Sequence, residues 1–147
     1  MIDATKDGRN LVLTMDGVDP FVIRPLPGHA GRQITDTYLS SVAGGSGTID
    51  LTAALQMAVD GAILEDDRWV PRPESEQTNF NRIGMELSQD EAELIIMPAF
   101  FWQTILGMDG VKAYIQGGEG LAGTLKASGA LTARLGLLAR RTSPSSE

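Results

Sequence analysis

The chain contains no cysteine. That excludes disulfides, thiolate metal sites and cysteine nucleophiles, and it suits a reducing compartment. Histidine occurs once, as His29. A multi-histidine metal site is ruled out, and only one imidazole is on hand to serve as a base. Aromatics are few: four Phe, two Tyr and two Trp among 147 residues. No uninterrupted apolar run approaches the ~20 residues that span a bilayer. The opening MIDATKDGRN has no charged stretch leading into an apolar one, so no secretory signal is expected. These absences point to the cytoplasm and to one domain that buries its core without staples.

Bases are also scarce, twelve against nineteen acids, for a net charge of −7. An acidic balance repels DNA and anionic lipid, so neither nucleic acid nor membrane is an expected partner. The distribution is uneven. After Glu119 come Lys126, Arg134, Arg140 and Arg141, and the one acid is Glu147. Two readings fit this basic end: cations near a helix C-terminus, which the macrodipole favours, or electrostatic docking to an acidic partner.

Along the chain, LVLTM and FVIRPL flank the turn chemistry of Asp16-Gly17 and Asp19-Pro20, which predicts a β-hairpin over residues 10–27. Its free edge is a candidate joining surface between subunits. PLPGHAGR reads as a connector. Ile34, Tyr38, Leu39 and Val42 form one helical stripe, and Leu51, Leu55, Ala58, Val59 and Ala62 form another. GGSG at 44–47 separates the two, with Thr48 or Asp50 as a cap. Residues 65–79, EDDRWVPRPESEQTN, read as an exposed, mobile loop. Leu125, Leu131, Leu135 and Leu138 lie on one broad side of a glycine-interrupted helix, or of two short ones, over 121–141. RTSPSSE closes the chain as a disordered tail.

The densest signal runs from Ser88 to Met108. Ser88 and Glu91 fit a capping box, S-x-x-E. Pro98 must kink the helix or begin a new one. Phe100, Phe101 and Trp102 cannot share one helix face, because neighbours are ~100° apart. With Ile95, Ile96, Ala99, Ile105 and Leu106 they make the segment apolar nearly all round. Such a helix is either central in the core or shared with a partner. Gly107 ends the run, and Asp109 is expected to cap a short helix that Gly117-Gly118 terminates.

Candidate chemistry is thin. His29 matches neither a phosphate-binding loop nor a dinucleotide fingerprint and reads as a structural loop residue. Asp60, Glu65, Asp66 and Asp67 could gather a hard cation, but the ligand spacing and central glycine of a calcium loop are missing. A solvated helix end is the simpler account. No cofactor, metal or catalytic residue is therefore assigned.

Three stretches carry a family resemblance: FVIRPLPGHAGRQITDTYL, NFNRIGMELSQDEAE and PAFFWQTILGMDGVKAYIQGGEGLAG, covering about Phe21 to Ala127. The most specific wording is AFFWQTILGMDGVKAYI. The chain resembles the tail assembly chaperones of siphovirus-type actinobacteriophages, in the shorter of the two products that a programmed frameshift yields in that family. The resemblance implies a non-catalytic protein of the host cytoplasm. It would coat the tape measure protein in many copies, alongside the longer frameshifted product, and be missing from the mature virion. The expected fold is mainly α (α+β): one domain over 1–141, with a β-hairpin at 10–27, about five or six helices in a compact bundle over 32–141, and a disordered tail at 142–147. Trp102, Ile105 and Leu106 are the candidates for meeting the client. Leu135 and Leu138 join the protein-binding set, and the hairpin edge or the glycine-rich C-terminal helices are candidates for self-association. The alternatives are a small structural or adaptor protein of the tail or virion, and an enzyme using Asp60, Asp66 or Asp67 with a metal.

Overall fold

The structure, a computed structural model, describes residues 1–42 and 51–142, with side chains as far as 138. Strands β1 (Ile2–Asp7), β2 (Asn10–Met15) and β3 (Val18–Ile23) form an antiparallel sheet in the order β1-β2-β3. Helices α1 (Gly28–Val42) and α2 (Leu51–Asp60) follow, then a short hairpin of β4 (Ala62–Glu65) and β5 (Arg68–Pro71). A single 3-10 turn at Glu74–Glu76 leads into α3 (Thr78–Glu86), α4 (Gln89–Trp102), α5 (Met108–Gln116) and α6 (Gly120–Thr142). The class is α+β, with six helices among the described residues, as expected. The GGSG break, the Thr48 or Asp50 cap and residues 143–147 lie outside the described residues.

The expected hairpin is two-thirds of a sheet. Its turn lies at Asp16-Gly17, but a third strand, β1, precedes it. Pro20 is accommodated because the register slips between Leu13 and Met15, leaving an extra residue in β3. Alternation then decides the faces: Ile2, Leu11, Leu13, Phe21 and Ile23 are buried, and α2, α3 and α4 pack near β2 and β3.

The stretch expected as a loop is mostly regular. Asp66 and Asp67, at φ 49° and 63°, form the two-residue turn of the β4–β5 hairpin. Two successive left-handed residues match the twist of paired strands, and Asp tolerates that backbone better than most side chains do. Gln33 on α1 secures β5 like a surrogate strand: Trp69 N–H donates to its Oε1 at 3.0 Å, and its Nε2 donates to Trp69 O at 2.7 Å. The connector before α1 is also shorter than expected, since the helix begins at Gly28 and takes in His29.

Helix α4 opens with the capping box. Ser88 N–H donates to Glu91 Oε1 at 2.9 Å, and Glu91 N–H returns to Ser88 Oγ. Pro98 lies inside the helix, so no second helix starts there. It removes one backbone donor and leaves the helix continuous to Trp102. The helix stops there, short of Gly107, because Thr104 turns the chain: its hydroxyl donates to Phe101 O at 2.6 Å and accepts from Leu106 N at 3.2 Å. Tyr38, Phe100 and Phe101 form the central ring cluster, with centroids 4.8–5.8 Å apart.

Helix α6 is continuous, with no break at its glycines. Gly123 lets it press on α5, since a Cβ there would collide with the carbonyl and ring of Tyr114. Asp109 does not cap α5. Gly107 is the N-cap residue, and Asp109 sits in the first turn with an ion pair to Arg134 at 3.6 Å.

Candidate protein-binding site

The five residues expected to bind a partner divide by direction. Trp102 and Leu106 are core residues, 9% and 6% exposed. The end of α4 aims Trp102 inward, and the Thr104 turn folds Leu106 under it. Ile105, between them, is 48% exposed. Ile105, Leu135 and Leu138 line one cleft of about 680 Å³ between α1, the turn after α4 and the end of α6. Arg32 and Asp36, one turn apart on α1, stand exposed at its rim. Gly31 also lines it and lets α1 approach Gln103, since a Cβ there would come within 2.7 Å of Gln103 O. Leu125, expected on the same side as Leu135, is instead 64% exposed.

The acidic residues are occupied structurally. Asp60 ends α2 and accepts from Asn79 N–H at 2.8 Å and Phe80 N–H at 2.6 Å, so it caps α3 from another helix. Burial raises its pKa from the ordinary aspartate value, outweighing the lowering pull of those two amides. Asp66 and Asp67 make the hairpin turn, on the opposite end of β4 from Asp60. Among the described residues, no three His, Asp or Glu are grouped to hold a metal ion. His29 is exposed in the first turn of α1.

A second cleft, of about 840 Å³, runs beside the outer edge of β3. The groups along it are largely paired with one another. Asn79 Nδ2 donates to Val22 O at 2.9 Å and Val59 O at 2.8 Å. Arg82 donates to Asp19 O and Pro20 O at 3.0 Å, pairs with Glu86 at 3.2 Å, and lies 4.1 Å over the Phe21 ring. Gln103 completes the row. Its Nε2 donates to Arg24 O and Ala58 O, and its Oε1 accepts from Leu26 N, all at 2.9 Å. Its one cue in the sequence is that it is the first polar residue after the apolar run.

The opposite edge, β1, is bare by comparison. The two-residue turn at Gly8-Arg9 makes Asp7 and Asn10 a hydrogen-bonded pair. By alternation, the backbone groups of Ala4 and Lys6 point away from β2. Among the described residues, the one hydrogen bond to the outer edge is from Ile2 N–H to Glu119 Oε2 at 3.4 Å. No described helix is long and apolar enough to cross a membrane.

Comparison of the chain with protein-family models, with curated proteins and with solved structures found no match.

Proposed function

We propose that the chain is a non-catalytic tail assembly chaperone that coats the tape measure protein in multiple copies inside the host cell. The family resemblance is one support. The observation that carries the reading is the open cleft where Ile105, Leu135 and Leu138 meet. A cleft that brings three aliphatic side chains together, with charged residues at its rim, suits the apolar side of a helical client. Its floor is the Thr104 turn, held by side-chain bonds, so the wall is formed before a client arrives.

In this reading the chaperone binds during tail assembly, acts beside a longer frameshifted product, and leaves before the virion is complete. Net negative charge keeps a crowded coat protein soluble. The test is co-expression with helical segments of the tape measure protein. Wild type should co-purify with an apolar segment. Ile105→Asp, which changes a half-exposed side chain, should lose at least about tenfold in affinity through the charge introduced into an apolar contact. No capture of any segment would overturn the reading. Stoichiometric amounts in purified particles would favour a structural tail component.

A further inference from the structure

We propose that β1 is a self-recognition edge, pairing antiparallel with β1 of a second copy about a twofold axis, Ala4 opposite Ala4. Two three-stranded sheets would become one. The pairing rests on the coating reading for its use, while its geometry is independent of it.

Of the two edges of this sheet, β1 is the one left open among the described residues. The outward carbonyls of β3 and of the chain leaving it are taken by Arg82, Asn79 and Gln103. On β1, Ala4 and Lys6 present N–H and C=O groups with no partner among the described residues. Pairing must set outward residues against outward residues, which leaves two central registers. Placing Ala4 opposite Lys6 sets Asp3 against Asp7 twice, a like-charge contact. Placing Ala4 opposite Ala4 sets Asp3 against Thr5 and Lys6 against Ile2. Glu119 stands at Ile2, its carboxylate on the Ile2 amide. Lys6 is exposed and has no ion pair among the described residues. In this register the Lys6 carbonyl of the second copy takes the Ile2 amide from Glu119, a long bond of 3.4 Å, and the freed Glu119 carboxylate pairs with the Lys6 ammonium of that copy; the twofold repeats the pair. Charge therefore selects both the occupant and the register. The contact uses the same surface on both copies and closes as a dimer.

The full chain should sediment as a reversible dimer at micromolar concentration; a monomer throughout the range would overturn the proposal. Because the chain has no cysteine, Ala4→Cys installs a sole thiol. Hydrogen-bonded pairs place Cα atoms about 5.5 Å apart, within disulfide reach. Mild oxidation should link Ala4→Cys into dimers and leave Val22→Cys, on β3, unlinked. Equal linking of the two would overturn the pairing. Lys6→Glu should weaken the dimer about tenfold, two exposed pairs becoming repulsive, and Lys6→Glu with Glu119→Lys should restore it. A Lys6→Glu dimer as tight as wild type would overturn the register. Ala4→Pro removes an outward donor and should give a folded monomer, checked by circular dichroism. Client capture by that monomer reports on the coating reading alone, so the two proposals fail separately.

Discussion

The two edges of the N-terminal sheet are treated in opposite ways. On β3, three side chains from the helical part of the chain satisfy the outward carbonyls, and the cover reaches past the strand to Arg24 and Leu26. On β1, among the described residues, one carboxylate touches the first amide and the rest is open. An edge can thus be closed without another strand, by amides and a guanidinium that mimic strand donors. The difference also orients the molecule, because side chains of α3 and of the turn after α4 bind the β3 edge, while the β1 edge meets the helical part only at Ile2, through Glu119 of the α5–α6 turn, among the described residues.

The largest expected test of this contrast is Gln103→Ala. It leaves three backbone groups without their partner and should cost about 2–3 kcal/mol, read as a lower denaturant midpoint at unchanged slope. A cost below about 0.5 kcal/mol, the scale of an ordinary surface change, would mean the cover is incidental. Arg82→Met keeps an apolar stem over Phe21 but removes the carbonyl bonds and the Glu86 pair. It should cost about 1–2 kcal/mol. Asp60 sharpens the comparison indirectly, by holding the turn that aims Asn79 at β3. Because burial raises its pKa above 3.8, the folded chain binds more protons there than the unfolded one. Its contribution to stability therefore falls as pH rises from the ordinary value through the raised one, and stays lower above it. Asp60→Asn should flatten that part of the wild-type pH profile; identical profiles would discount the buried charge. The smallest effect concerns the other hairpin. Asp67→Gly relieves a left-handed side chain in a two-residue turn and should stabilise by about 0.5–1 kcal/mol, visible as a rise in Tm.

Local chemistry was readable where it was self-contained. The Ser88–Glu91 box and the Asp16-Gly17 turn each depend on residues within a few positions of one another. The stripes of α1 and α2 held in part: Val42 is exposed at the end of α1, and Ala62 lies in β4 while Ala54 and Met57 face the core from α2. Strand β1 escaped because IDATKD sends only Ile2 and Ala4 toward the core and is otherwise polar. The β4–β5 hairpin escaped because its turn uses two aspartates where glycine or asparagine is usual, and its strands are four residues each. Of the five candidate residues, Ile105, Leu135 and Leu138 converge on one open cleft, but Trp102 and Leu106 are core. A segment apolar all round carries no periodic sign of which side is outward. The cover on β3 was illegible for another reason: Asn79, Arg82 and Gln103 find partners 57 to 79 residues away.

That separation gives Gln103 a kinetic role. Its three bonds span 45, 77 and 79 residues, so each must wait for long loops to close. Bonds formed after the rate-limiting step slow escape from the native state without hastening arrival. One amide, where the sheet's exit meets the ends of α2 and α4, therefore acts as a latch. Its removal should show in the unfolding limb of the chevron and leave the folding limb nearly in place.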